Sequence, residues 1–134
     1  MNIQEIAELV IVRLKVEGFI IQRYNSYSSA SIYLKLDYGV ANTIRISDHK
    51  GKKQYQYRYN LIKGRNGVDY HKSPQGWARW YYGFDVVDKM IKTIVDTRTV
   101  NIKRYGLQSY KRLMENNVRT GKDKTGFWSQ CWEV

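Results

Sequence analysis

The sequence predicts an α+β fold. A single domain places an antiparallel sheet of four to five strands after one N-terminal helix and before two C-terminal helices, in the order α-β-β-β-β-α-α with a candidate terminal strand. Three observations predict it. Apolar residues recur at helical spacing from Ile3 to Leu14 and again after Asp85. Between those stretches the hydrophobic period falls to two. The chain has 134 residues with one proline and one cysteine, enough to bury one core without a metal or a disulfide.

The first helix has its start written at Asn2, with Glu5 at capping-box spacing and Ile3, Ile6, Ala7, Val10 and Leu14 as its stripe. Gly18 stops it as a left-handed residue. A strand is expected from Phe19 through Tyr24. Next, Ile32, Leu34 and Leu36 alternate with Tyr33, Lys35 and Asp37, a turn follows at Asp37-Tyr38-Gly39, and Ile44 and Ile46 alternate with Arg45 and Ser47. His49-Lys50-Gly51-Lys52 reads as the hairpin loop leading to a fourth strand over residues 54–62.

Residues 63–76 crowd Gly64, Asn66, Gly67, Ser73, Pro74 and Gly76 among polar residues and read as a surface loop. Residues 77–82 are short and aromatic. Asp85 is expected to cap a second helix with Val87, Met90, Ile91, Ile94 and Val95 as its apolar stripe, and Asp88 supports its positive end. A third helix over residues 107–117 places Leu107, Tyr110 and Met114 on one side. Residues 118–126 read as a second irregular stretch, and Trp128 and Trp132 alternate against Ser129 and Cys131 in a final edge strand.

Charge is the strongest functional signal. The net excess of +11 is carried by residues 49–82 at +7 and residues 98–124 at +6, while the remainder nearly balances. Such clusters repel themselves in the folded state, which favours a polyanionic partner, either nucleic acid or a protein that carries it. Around the first tract the candidate contacts are Arg45, Lys50, Lys52, Lys53, Arg58, Lys63, Arg65, Lys72 and Arg79. In the second they are Lys103, Arg104, Lys111 and Arg112. Tyr57, Tyr70 and Trp77 are candidates to stack on unpaired bases, and RNA is the expected nucleic acid ahead of DNA.

Blander readings compete with these. One face of a sheet must be buried, so the Tyr55, Tyr57 and Tyr59 stripe reads more readily as core or helix-packing surface. The cations read more readily as contacts than as a solvated face, because solubility does not require their segregation.

Asp48-His49 and Asp69-x-His71 place two acids and two imidazoles beside the fourth strand, a set from which a metal-dependent nuclease is conceivable. Neither pair has diagnostic ligand spacing, and Asp48 equally serves as a turn residue. The expectation is therefore no catalytic residue, no metal and no cofactor. Lone Cys131 reads as a buried thiol and fits a reducing cytosol. Glu5, Glu8 and Arg13 break the first apolar stretch, against a signal peptide or a membrane span.

The segment Ser31-Ile-Tyr-Leu-Lys-Leu-Asp-Tyr-Gly, with Thr43-Ile-Arg-Ile-Ser-Asp-His49 and Tyr57-Arg-Tyr-Asn60, resembles small single-domain proteins of phages and mobile elements of Gram-positive bacteria, a population that includes anti-CRISPR inhibitors of Cas9. The resemblance spans roughly residues 1–62. It implies a non-enzymatic inhibitor in the bacterial cytoplasm, acting on Cas9 or its guide-RNA complex. The basic surface would contact guide RNA, target DNA or an acidic patch on the effector. The alternative is a general RNA- or DNA-binding protein of phage or plasmid biology.

Overall fold

The computed structural model describes residues 2–26, 30–48, 57–62, 69–72, 78–121 and 126–134; for positions 48, 57–62, 69–72, 78–81 and 127 the description is of backbone and register. Helix α1 (Ile3–Val16) begins in the capping box read from the sequence. The Glu5 amide donates to Asn2 Oδ1 at 2.9 Å, and the Asn2 amide donates to Glu5 Oε1 at 3.3 Å. Each bond satisfies a donor that the first helical turn leaves unpaired. Ile6, Ala7, Val10, Ile11 and Leu14 are buried. Gly18, at φ +86°, lets the chain leave in the left-handed conformation.

The strands are β1 (Ile21–Asn25), β2 (Ser31–Leu36), β3 (Thr43–Asp48), β4 (Tyr57–Ile62), β5 (Asp69–Lys72), β6 (Ala78–Gly83) and β7 (Trp132–Glu133). Among the described residues they form one antiparallel sheet in the order β5-β6-β4-β3-β2-β1-β7. After the sheet come α2 (Val87–Tyr105) and α3 (Leu107–Arg119), so the predicted class and helix placement hold. The sheet is wider than expected. Residues 63–76 include β5, and the aromatic run after them is β6, paired with β4 on one side and β5 on the other.

Register sorts the residues, because directly opposed residues share a face of the sheet. One set of rows runs Arg23–Leu34–Ile44–position 61–position 80 and Asn25–Ile32–Ile46–position 59–Tyr82. Leu34, Ile32, Ile44, Ile46 and Tyr82 are fully buried there beneath the helices, with Val10 and Leu14 of α1 and Met90 and Ile94 of α2 in the same core. Burial of each such side chain contributes about 1.5–3 kcal/mol. Arg23 enters this face because its charge is met: Nη1 reaches Glu8 Oε1 at 2.7 Å, Nη2 reaches Gln4 Oε1 at 2.8 Å, and the guanidinium lies 5.8 Å from the Trp132 ring centre.

Four local expectations change. Asp85 makes no side-chain cap: a 3-10 turn, Phe84–Val86, leads into α2, whose N-cap is Val86. α2 extends well beyond the expected stripe, which ended at Val95, and takes Lys103 and Arg104 into its last turn, where cations complement the helix dipole. α3 continues to Arg119, past the expected end. Near the C-terminus Gly126–Gln130 forms a 3-10 turn, so the edge strand shortens to β7, and Cys131 is half-buried rather than buried. Residues 49–56, including the expected hairpin loop, lie outside the described residues.

Candidate nucleic-acid interface

The alternation that buries isoleucine and leucine under α1 and α2 sends their neighbours to the other face. Its rows run Tyr24–Tyr33–Arg45–position 60–position 81, Lys35–Thr43–position 62–position 79–position 71, and Ser31–Ser47–position 58. This face therefore takes one cation position from each of four neighbouring strands: Lys35 on β2, Arg45 on β3, Arg58 on β4 and Arg79 on β6. None stands directly opposite another. Arg45 faces Tyr33 and position 60, Arg58 faces Ser47 and Gly83, and Arg79 faces positions 62 and 71. That staggering avoids the direct like-charge pairs that weaken a sheet.

Aromatic rings occupy the β1–β2 end of the face. Tyr24 and Tyr33 lie 6.1 Å apart between ring centres, and Trp128 closes a triangle with both at 6.4 Å. The 3-10 turn carrying Trp128 seats that ring 4.3 Å from Lys35 Nζ, a cation–π contact that accounts for the burial of Lys35. Arg45 is half-buried, donates from Nε to Ser31 Oγ at 3.1 Å and lies 5.7 Å from the Tyr33 ring centre. Its guanidinium is thus oriented by the sheet rather than trailing in solvent, as a phosphate contact requires.

The other expected contacts separate into groups. Lys50, Lys52, Lys53, Lys63, Arg65 and Trp77 lie outside the described residues. Tyr57 falls opposite Asp48, Tyr70 opposite position 80 and Lys72 opposite Ala78, all in rows of the helix-covered face and not with Arg45. Tyr59 falls between Ile46 and Tyr82, both fully buried, so the register puts Tyr57 and Tyr59 in rows of the core side, while Tyr55 lies outside the described residues. Lys103, Arg104, Lys111 and Arg112 are exposed on the α2–α3 corner, a second basic surface away from the Arg45 row. Sequence reasoning missed Lys35, Tyr24, Tyr33 and Trp128 as members of the face. The alternation of Tyr33 and Lys35 against Ile32, Leu34 and Leu36 was the signal that could have found the β2 pair.

Among the described residues, Asp48 and the Asp69–His71 pair do not share a face or neighbouring strands. Asp48 sits in a core-side row opposite Tyr57, whereas Asp69 and His71 sit in rows of the opposite face, and β3 is separated from β5 by β4 and β6. Three strand spacings are about 14 Å, too far for one metal ion or one proton relay. His49 lies outside the described residues, and among the described residues no group of three or more His, Cys, Asp or Glu side chains is placed to hold a metal. Among them, too, no helix is long and apolar enough to cross a membrane. Comparison with known proteins finds no matching family model, no similar curated protein and no similar solved structure.

Proposed function

We propose that this chain is a non-enzymatic nucleic-acid-binding protein that takes a single strand, RNA ahead of DNA, across the sheet face opposite its helices. The observation that carries the reading is the set of cation positions Arg45, Arg58 and Arg79 on three adjacent strands, bordered by Tyr24 and Tyr33, with Lys35 buried beneath Trp128 at the edge of the face. Cations spaced across a sheet meet a phosphate backbone, and half-buried tyrosines beside them offer faces for unpaired bases. A single strand suits this arrangement because duplex bases are stacked on one another and withhold their faces. The reading assigns no catalytic residue, and its site is the bacterial cytoplasm.

The narrower proposal is inhibition of a nucleic-acid-guided defence, with the guide RNA of a Cas9 complex as the strand engaged; its support is the sequence resemblance. The test is fluorescence anisotropy with single-stranded RNA, single-stranded DNA and duplex DNA, run beside a Cas9 cleavage assay. Arg45→Glu is expected to weaken binding of single-stranded RNA by about tenfold or more, a change of about 1.4 kcal/mol, in a variant that circular dichroism shows to be folded. Equal affinity of the folded variant would remove the sheet face from the reading. Full RNA binding with undiminished Cas9 cleavage would leave the general binder and remove the inhibitor.

A further inference from the structure

A second surface is independent of the sheet face. Gly106, at φ +90°, turns the chain sharply between α2 and α3, and the two helices enclose a groove of about 560 Å³. Ile102 and Lys103 of α2 form one wall. Leu107, Lys111 and Met114, one face of α3 at i, i+4 and i+7, form the other. Ile20 and Tyr110 lie between them.

The chemistry of the lining is mixed in a way that restricts its occupant. Ile102, Leu107 and Met114 offer apolar surface, with Leu107 48% exposed. Lys103 and Lys111 are exposed, and Arg98 lines the same groove. Asp37 is the acid in the lining, and both of its carboxylate oxygens are engaged, by the Ile20 amide at 2.9 Å and by the Tyr110 hydroxyl. The groove therefore presents net positive charge over an apolar floor.

We propose that the α2–α3 groove docks an acidic amphipathic peptide segment of a partner protein, its aliphatic or aromatic side chains against Leu107 and Met114 and its carboxylates against Lys103 and Lys111. Charge complementarity selects this occupant. A second copy of the chain, meeting through a two-fold axis, would set the basic patch of Lys103, Arg104, Lys111 and Arg112 against the same basic patch. A phosphate backbone would satisfy the lysines and leave Leu107 and Met114 with nothing to bury against. Groove recognition of an amphipathic helix uses apolar anchors at this spacing with charged residues at the edges.

The test is selection of a random-peptide display library on the immobilised full-length chain, followed by anisotropy with the synthesised, fluorescein-labelled winner. Enriched peptides are expected to be rich in Asp and Glu alternating with Leu or Phe. Lys103→Glu with Lys111→Glu is expected to lower affinity about tenfold or more, and Leu107→Ser about fivefold or more. All three positions are exposed, so circular dichroism should match the parent, with melting lowered only slightly where Lys103→Glu sets an anion at the C-terminal end of α2. The charge-reversed pair should regain affinity for the same peptide with its acids changed to lysine. Selection of neutral or basic peptides, no enrichment, or affinity unmoved by the substitutions overturns the proposal. So does concentration-dependent self-association that the lysine reversal abolishes, or loss of single-stranded RNA binding as the only consequence of that reversal.

Discussion

Asp37 and Tyr38 have φ of 50° and 55°, a left-handed turn outside glycine that costs about 1–2 kcal/mol per residue. The surroundings hold it there: Asp37 accepts from Ile20 and from Tyr110, and the Tyr38 carbonyl accepts from Asn117 Nδ2 at 2.7 Å. This turn ties α3 to the end of β2, and Tyr110 is the fully committed side chain of that helix, buried where most of α3 is exposed. Burial pushes the Tyr110 hydroxyl well above its ordinary value of 10.0, and the hydrogen bond to Asp37 adds to the rise. The folded state thus keeps a proton that the unfolded chain releases above pH 10.0, so this contribution is complete below that pH and is lost as pH rises beyond it. Tyr110→Phe should cost about 1–3 kcal/mol near neutrality by leaving Asp37 Oδ2 unpaired. It should also flatten the alkaline fall in stability. The fall should not vanish, because burial raises Tyr82 in the same direction. Urea unfolding at neutral pH and above pH 10.0 measures both effects, and an alkaline slope identical to the parent's would remove Tyr110 from the account.

Elements were legible in proportion to the length of their periodic signal. α1 announced its cap, stripe and terminating glycine within the sequence, and its capping box makes a clean prediction. Asn2→Ala should destabilise the protein by about 1 kcal/mol, read as a lower urea midpoint at unchanged slope. β5 was hidden because four residues between glycines and a proline carry too little alternation, and its existence depends on pairing with β6, which no local pattern reveals. Asp85 looked like a cap by residue type, but the 3-10 turn before α2 leaves it outside the capping position. Trp128 fitted a strand by alternation, yet its contacts with Lys35, Tyr24 and Tyr33 draw the segment into a 3-10 turn instead. The candidate site follows the same logic. Arg45, Arg58 and Arg79 were found as cations, and it took strand order to place them on one face.

For the molecule as a whole, a net charge of +11 attracts any polyanion, so binding alone does not locate a site. The distinction lies in how far each charge acts. Exposed charges more than a Debye length away, about 10 Å at 0.1 M salt, are largely screened, while a cation touching a phosphate releases a counterion whatever the surrounding field. Two triple variants of equal net charge separate these cases: Arg45, Arg58 and Arg79 reversed to Glu on the sheet face, and Lys103, Lys111 and Arg112 reversed to Glu on the α2–α3 corner. If single-stranded RNA crosses the sheet, the first should reduce the slope of log affinity against log salt by about 2, since each lost contact on a single strand removes about 0.7. The second should leave that slope nearly unchanged and lower affinity only modestly at low salt. Titrations over a range of salt concentrations, on variants confirmed as folded by circular dichroism, make the comparison. Equal losses of slope in the two variants would mean that RNA is held by a diffuse field, and the three arginine positions on β3, β4 and β6 would then be an ordinary solvated face.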